Sequence, residues 1–421
     1  MLIEFRVENY RSLRDEQVLT LEADGSPHEA DSRPRDEAGY PKPLLPVAVL
    51  YGANASGKSN VLGAIAYMRH AILESHRSWS PDDGVPRDPF AWGSKKDEPS
   101  LFEATMLVDS VRYHYGFSVS DVKVEEEWLR SWPHGKKQTW FEREGDDPIK
   151  FGEQLKGENR LIEGITRPNA LFLSAAVQNR HPQLLPIYSW FRSIRPINVP
   201  INAVPLWRGL SGPGVLSGLF EGSRQASLFD DSDDVAERFR SMLRSADVGI
   251  VDIKVVKPEL EDGTKRLRPS QFFLKHQGPY EEAWLPLDEE SSGTRTLFRI
   301  GMPILQTLED GGILIVDELE SSLHPSLAQQ IVRLFNDPQT NPRNAQLIFT
   351  THDTNLLGTT LGEPTLRRDQ VWLTEKDKEG ASVLYPLTDY KPRKAENLER
   401  GYLQGRYGAI PFLGNFFPKS E

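Results

Sequence analysis

The segment GANASGKS, residues 52–59, constrains the fold of this chain more than any other part of its sequence. It matches the pattern G-x-x-x-x-G-K-[ST], in which glycines let backbone N–H groups turn toward bound phosphate. The apolar run VAVLYG before it predicts a buried strand, and KSNVLGAIAYMRHAIL after it has the apolar spacing of a helix. A strand, a glycine-rich loop and a helix in this order predict a phosphate-binding loop in an α/β protein.

Two side chains of this loop carry the predicted chemistry. Lys58 would supply positive charge to the β- and γ-phosphates of a nucleotide, and Ser59 would offer its hydroxyl to Mg²⁺. ATP and Mg²⁺ are therefore the predicted ligands. The residues predicted to bind the nucleotide here are Asn54, Ala55, Gly57, Lys58, Ser59 and Asn60, with Gly52 opening the loop.

An acidic pair follows a second apolar run at residues 313–320, ILIVDELE. A buried parallel strand would deliver Asp317 at its carboxyl end, where the carboxylate could join the Mg²⁺ shell. Glu318 would then lie where it can polarise an attacking water. The alternative is a strand that simply ends in a solvated acidic turn, and the upstream phosphate loop favours the first interpretation.

FTTHD, residues 349–353, ends the next predicted strand with His352. At the ligand edge of such a sheet, a histidine can contact the γ-phosphate and the attacking water. A lone histidine is more often a structural residue. The position of His352 after the acidic pair favours the catalytic interpretation.

A further polar turn lies far downstream of the phosphate loop, in PLDEESSGTRTL at residues 286–297. Ser292 and Gly293 precede a predicted helix, and a hydroxyl with the free N–H groups of a helix N-terminus forms an anion site. The plain alternative is that SSGT is only a helix N-cap. Because the phosphate loop already serves its own nucleotide, we expect this turn to contact the γ-phosphate held by an opposing protomer.

Composition narrows the class of protein. The chain has no cysteine, which excludes disulfides and thiolate ligands, and no apolar run approaches the ~20 residues that span a bilayer. The start lacks the plan of a signal peptide, so a cytoplasmic protein without membrane contact is expected. The net charge of −11 argues against general adhesion to nucleic acid. Basic clusters at 134–138 and 391–408 could line a local DNA groove or be solvated faces.

Taken together, these motifs resemble the ABC-type ATPase heads of structural-maintenance-of-chromosomes proteins and their relatives. VENYRSL resembles the N-terminal strand motif of that group. ESSLHPSL (320–327) and YLQGRYGAIP (402–411) resemble the branch without coiled coils. That branch includes RecF-like proteins, overcoming-lysogenization-defect nucleases and the bacterial ATPases filed as AAA15 or AAA21.

The resemblance implies an ATPase that dimerises, or forms a higher even oligomer, through composite ATP sites. It implies Arg11 near the base or phosphates and Gln178, in LFLSAAVQNR, as a glutamine that senses Mg²⁺. It also implies a regulatory switch in bacterial antiphage defence. Because no Asp-x-Asp follows Asp353, nuclease or toxin chemistry would belong to a separate effector protein. The alternatives are a RecF-like repair ATPase that clamps DNA and a scaffold that binds ATP mainly to assemble.

The expected fold class is α/β: an ABC-type P-loop NTPase head with a mixed or parallel sheet, an antiparallel β lobe, a helical insertion and no long coiled coil. Residues 1–75 and 285–411 would form the ATPase core, and the alternating runs within 76–170 would form the antiparallel lobe. Residues 171–284 would be the insertion, with a flexible loop near 208–234 that is rich in Gly, Ser and Asp. Residues 412–421 would be a tail.

Overall fold

The structure is a computed structural model. It describes residues 1–25, 31–200, 234–246, 249–256, 271–278, 283–359, 362–391 and 396–411. The loop expected near 208–234 lies outside the described residues except for its last position, and the tail at 412–421 also lies outside them.

A six-stranded sheet forms the centre of the fold. In spatial order its strands are β16 (Ser382–Pro386), β15 (Val371–Lys376), β3 (Val47–Gly52), β14 (Gln346–Thr350), β13 (Ile313–Val316) and β9 (Ile194–Ile197). Only the pair β15–β16 is antiparallel. Parallel strands are covered on both faces, so their sequences are continuously apolar. This is why VAVLYG and ILIV are buried along their whole length.

Both faces of this sheet are covered by helices. Successive side chains of a strand point to opposite faces, so Ile313 and Ile315 join one apolar core and Leu314 and Val316 join the other. The helices of the first core are α1 (Lys58–Glu74), α2 (Asn159–Ile165), α3 (Phe172–Gln178) and α4 (Leu185–Arg192). Those of the second are α5 (Asp234–Ala246), α6 (Ser292–Asp310), α7 (Pro325–Asn336) and α8 (Leu398–Leu403).

Two antiparallel sheets complete the described structure. The larger contains β2 (Gln17–Thr20), β1 (Leu2–Glu8), β4 (Ser100–Val108), β5 (Val111–Val119), β6 (Val124–Trp132), β7 (Gln138–Glu144) and β8 (Lys150–Phe151), in that order. The smaller contains β10 (Ile250–Val256), β11 (Gln271–His276) and β12 (Trp284–Pro286). The first strands of the chain therefore belong to the antiparallel sheet through β1 and β4. The division of the chain into domains stays a prediction.

One buried glutamine joins the antiparallel sheet to the central sheet. The Gln346 side chain at the start of β14 accepts a hydrogen bond from the Leu2 backbone N–H at 2.5 Å and donates to the Leu2 and Leu45 carbonyls. This contact fixes β1 across the end of the central sheet. The mixed α/β class is confirmed. Among the described residues the longest helix, α6, has 19 residues, so no long coiled-coil arm is present there. No helix of the described ranges is long and apolar enough to cross a membrane.

Candidate nucleotide site

The phosphate loop joins the end of β3 to the start of α1. Ala55 has φ 63° and Gly57 has φ 109°, so the backbone turns through the left-handed region twice before the helix begins at Lys58. A Cβ at Gly57 would overlap the hydroxyl of Ser382, and at Gly52 it would lie 2.4–2.6 Å from side-chain and backbone oxygens. Only glycine therefore fits at these two positions, because other atoms lie directly against the backbone there.

Lys58 is a buried cation held by the loop itself. Its ammonium group donates to the Gly52 carbonyl at 2.9 Å and to the Ala53 carbonyl at 3.1 Å, and the side chain is only 6% exposed. Burial lowers the pKa of Lys58, and the charges of Asp317 and Glu318 oppose this shift. No carboxylate among the described residues lies within ion-pair distance of it. An anionic phosphate would supply the missing countercharge.

Ser59 and Asp317 meet at the carboxyl edge of the central sheet. The Ser59 hydroxyl donates to Asp317 Oδ1 at 3.0 Å, although 258 residues separate them in the chain. They meet because β3 and β13 flank β14 in the same parallel direction, which places their carboxyl ends side by side. Hydroxyl and carboxylate oxygens are the ligands that Mg²⁺ prefers. The donor set therefore fits the Mg²⁺ that accompanies a bound nucleotide, and Lys58 would supply positive charge to its phosphates.

Thr350, the last residue of β14, ties the acidic pair together. Its hydroxyl donates to Asp317 Oδ1 at 2.6 Å and accepts from the Glu318 backbone N–H at 2.8 Å. Glu318 has φ 53° and an exposed side chain, so it points away from the core immediately after the buried strand. Thr350 could not be identified from the sequence, because a threonine at the end of a β-strand carries no distinguishing local pattern.

His352 follows two residues after β14 at the same edge. Its backbone N–H donates to Glu320 Oε1 at 2.6 Å. Partial burial, and then the charge of Lys58, lower the pKa of the His352 imidazole below its ordinary 6.5. At neutral pH the neutral imidazole can donate one hydrogen bond through one ring nitrogen and accept another through the other. The charges of three acidic side chains, those of Asp317, Glu318 and Glu320, oppose this lowering of the pKa.

The structure does not bring Gln178 to this site. Gln178 is exposed at the end of α3, where its side chain lies beside Tyr188. The Tyr188 hydroxyl in turn contacts the Leu73 carbonyl at 3.4 Å. Leu73 lies fifteen residues beyond Lys58 in α1, or ~22 Å at 1.5 Å per residue. The physical reason is that α3 and α4 pack against the far half of α1, away from the phosphate loop.

Asn198, rather than Gln178, lies at the sheet edge beside Asp317. It follows β9 directly, and its amide Nδ2 lies 3.5 Å from the Asp317 carbonyl oxygen. It is exposed and has φ 57°. In the sequence, the signal for this position is a polar residue that follows the short run IRPI. Proline is rare inside strands, so the sequence does not identify this run as a strand.

Arg11 lies beside the second turn of α1. Its guanidinium bonds to Asp88 Oδ2 at 3.1 Å and to the Pro200 carbonyl at 2.9 Å. A Cβ added at Gly63 would come within 3.5 Å of it. Arg11 is therefore near the phosphate loop, but its donors already have partners within the chain.

Ser292 and Gly293 form the first turn of α6. The N-cap is Ser291, whose hydroxyl accepts from the Thr294 backbone N–H at 3.1 Å. The capping interpretation of SSGT is thus correct for Ser291, whereas Ser292 is exposed. Gly293 lies against the Ser322 carbonyl, 3.0 Å from where its Cβ would be. In the described structure, no hydrogen bond or ion pair links this turn to the chain's own phosphate loop.

Hydroxyl groups of the β15–β16 hairpin support the phosphate loop from behind. Thr374 Oγ1 is 2.6 Å from Ser56 Oγ, and the Ser382 hydroxyl donates to the Ser56 carbonyl at 2.6 Å. The Ser12 hydroxyl lies 2.7 Å from that of Ser382 and accepts from the Asn60 amide at 2.6 Å. The predicted nucleotide residue Asn60 thus faces this network, and none of its hydroxyl partners was predicted from sequence.

A glycine-rich loop between a buried strand and a helix, with Ser59 bonded to an aspartate at the end of a neighbouring parallel strand, defines a P-loop nucleotide-binding protein. Residues 47–358 match the family model described as "AAA domain, putative AbiEii toxin, Type IV TA system". The match spans most of the chain, and the protein belongs to this family of P-loop ATPases. The AAA21 family, which was expected from the sequence motifs, is thereby confirmed.

The solved structures that are similar to this chain are only distantly similar to it. The SMC head domain from Thermotoga maritima has 12% identity and a TM-score of 0.40, covering 91% of this chain and 98% of that one. An SmcHead bound to the C-winged helix domain of ScpA has 12% identity and a TM-score of 0.47, covering 91% and 96%. The Smc head domain with an extended coiled coil from Pyrococcus furiosus, bound to the C-terminal domain of ScpA, has 12% identity and a TM-score of 0.39. The match covers 93% of this chain and 97% of that one. No curated protein sequence matches the chain.

Proposed function

We propose that the protein binds and hydrolyses Mg²⁺-ATP, dimerises through composite ATP sites, and acts as a regulatory switch in bacterial antiphage defence with a separate effector protein. One observation carries the nucleotide part of this proposal. Lys58, Ser59, Asp317 and Glu318 converge at one sheet edge, and Ser59 and Asp317 are hydrogen bonded.

The side chains at this edge suit phosphoryl transfer to water. Lys58 and the loop N–H groups would bind the phosphates, and Ser59 and Asp317 would hold Mg²⁺, which neutralises phosphate charge when bound. The Glu318 carboxylate is exposed beside them and would accept a proton from the attacking water. The neutral His352 imidazole would orient that water or the γ-phosphate through a hydrogen bond.

The composite site is supported by the place of Ser292 and Gly293. The N-terminus of the 19-residue helix α6 carries partial positive charge, and Ser292 is exposed there. A second copy could present this turn to the γ-phosphate of the first. Closure would then depend on bound ATP, which is the property that a switch requires.

The defence role is proposed on the family description, which names a toxin of a type IV toxin–antitoxin system. The residues that converge at the sheet edge suit ATP hydrolysis, so we assign the destructive chemistry to an effector protein whose state the ATPase controls.

The test is the solution mass of the Glu318→Gln protein with and without Mg²⁺-ATP. Glutamine keeps the size of the side chain but removes the carboxylate base, so ATP should bind and remain intact. We expect ATP to convert a smaller species into a dimer. The control is Glu318→Gln combined with Lys58→Ala, which should not bind ATP or change its mass. A protein that stays monomeric with ATP bound would contradict the composite site.

A further inference from the structure

Hydrogen bonds hold the turn that contains His352 at several points. The Glu320 carboxylate accepts a hydrogen bond from the His352 backbone N–H. After it, the Tyr51 hydroxyl donates to the Asp353 carbonyl at 2.8 Å. Asp353 Oδ1 then accepts from the Asn355 backbone at 2.9 Å and caps the short 3-10 turn Thr354–Leu357. The backbone on both sides of His352 is thus fixed by these hydrogen bonds.

The C-terminal segment of the described chain, residues 396–411, contacts the same turn. Glu399 of α8 accepts from the Thr354 hydroxyl at 3.3 Å. The other carboxylate oxygen of Glu399 fills the space beside Gly358, so that a Cβ at Gly358 would overlap it. Glu399 therefore touches the turn at its first residue and again just after its end.

The rest of the segment fixes α8 in place. The ring of Tyr402 packs edge-on against Tyr51 with 5.5 Å between centroids, and its hydroxyl donates to the Ala409 carbonyl at 3.1 Å. A Cβ at Gly401 would come within 2.5–2.8 Å of the Tyr407 ring and hydroxyl. The glycines and tyrosines of GYLQGRYGA thus pack closely against one another, and Tyr402 packs against β3, the strand that leads into the phosphate loop.

From these contacts we infer that Glu399 is a positioning residue for ATP hydrolysis, acting on His352 through Thr354 and the turn that follows it. The inference rests on the proposed ATPase function. When the Glu399 carboxylate is absent, the Thr354 hydroxyl loses its acceptor and the turn loses its support at Gly358. The imidazole then spends less time in its productive direction. The contacts of Lys58 with the phosphate loop do not involve Glu399, so ATP binding is unaffected.

The kinetic test compares Glu399→Ala, Glu399→Gln and the control Leu403→Ala. Leu403 is on the same helix but 61% exposed, so its truncation changes only the outer face. We expect Glu399→Ala to lower kcat about tenfold, as for loss of one hydrogen bond to a charged group, with the ATP Kd unchanged. Glutamine restores kcat because its amide oxygen can accept the same bond. An unchanged kcat, or a Kd that weakens in step with kcat, overturns the inference.

A second readout does not depend on turnover. Backbone amide exchange across residues 352–358 should be faster in Glu399→Ala than in the wild type, and unchanged in Leu403→Ala. If the wild-type protein hydrolyses no ATP, the proposed function fails, yet exchange still decides whether Glu399 holds the turn. Equal exchange in wild type and Glu399→Ala overturns the inference. Should Glu399→Ala not fold, Thr354→Val removes the other partner and must give the same loss of kcat and the same faster exchange.

Discussion

Replacing Thr350 with valine would remove the hydroxyl that bonds to both Asp317 and Glu318, while keeping the shape of the side chain. Thr350 is fully buried, and its hydroxyl makes two hydrogen bonds, one to the Asp317 carboxylate at 2.6 Å and one from the Glu318 N–H at 2.8 Å. Loss of a bond to a charged group costs about 1.5–3 kcal/mol. If this energy orients Asp317 and Glu318 in the transition state, kcat falls about 10- to 100-fold.

The matched control is Thr307→Val in α6. Thr307 is also fully buried, but its hydroxyl donates only to the Pro303 carbonyl within the same helix, at 2.6 Å. It should cost about 1 kcal/mol of unfolding free energy and leave turnover unchanged. Both variants are measured by urea denaturation, by ATP titration and by steady-state phosphate release.

The two variants together separate stability from activity. We expect Thr350→Val to keep its ATP affinity within about threefold, because Lys58 and the phosphate loop are intact. A kcat within twofold of the wild type, in a protein as destabilised as Thr307→Val, would show that Thr350 supports only the fold. An equal loss of kcat in both variants would mean that turnover follows global stability.

Two further predictions concern pH and assembly. Burial, and then the charge of Arg69, lower the pKa of His70 from 6.5 to about 4. As the pH falls, this histidine is therefore protonated in the unfolded chain before it is protonated in the folded protein. The folded state loses stability below pH 6.5 as a result. Between pH 7 and pH 5 the wild type should lose about 2 kcal/mol more unfolding free energy than His70→Gln in urea denaturation, and parallel pH profiles would refute this. Mixing equal amounts of Lys58→Ala and Ser292→Arg chains, each inactive alone, should restore about a quarter of wild-type turnover, because half of the dimers then keep one intact composite site. Turnover that stays at the level of the separate variants would count against a two-fold arrangement.

Much of the nucleotide site could be predicted from the sequence, because its motifs are local. The phosphate loop contains its own strand, glycines and helix start, and Asp317 and His352 each follow a buried apolar run. Parallel pairing of those strands is enough to place their carboxyl ends together. The order of the motifs therefore determined which side chains meet.

The parts that could not be predicted depend on packing between distant elements. Gln178 was a candidate because the family resemblance implies a Mg²⁺-sensing glutamine, and the apolar run before it does not distinguish a strand from a helix. The segment forms α3 against the far half of α1, and β9 supplies Asn198 at the sheet edge instead. Thr350 and Ser382 are ordinary strand residues in the sequence, and only the register of the sheet gives them partners.

The order of strands in the central sheet has a consequence for synthesis of the chain. Strand β3 ends at residue 52, but its two neighbours, β14 and β15, begin at residues 346 and 371. At about 5–20 residues per second, a ribosome needs roughly 15–60 s to make the chain between them. During that time the nascent VAVLYG segment has no sheet to join and must be shielded from other apolar surfaces. Because β14 lies between β3 and β13, the phosphate loop and Asp317 can meet only after residues 346–350 have been made, so a ligand that needs both cannot stabilise shorter nascent chains.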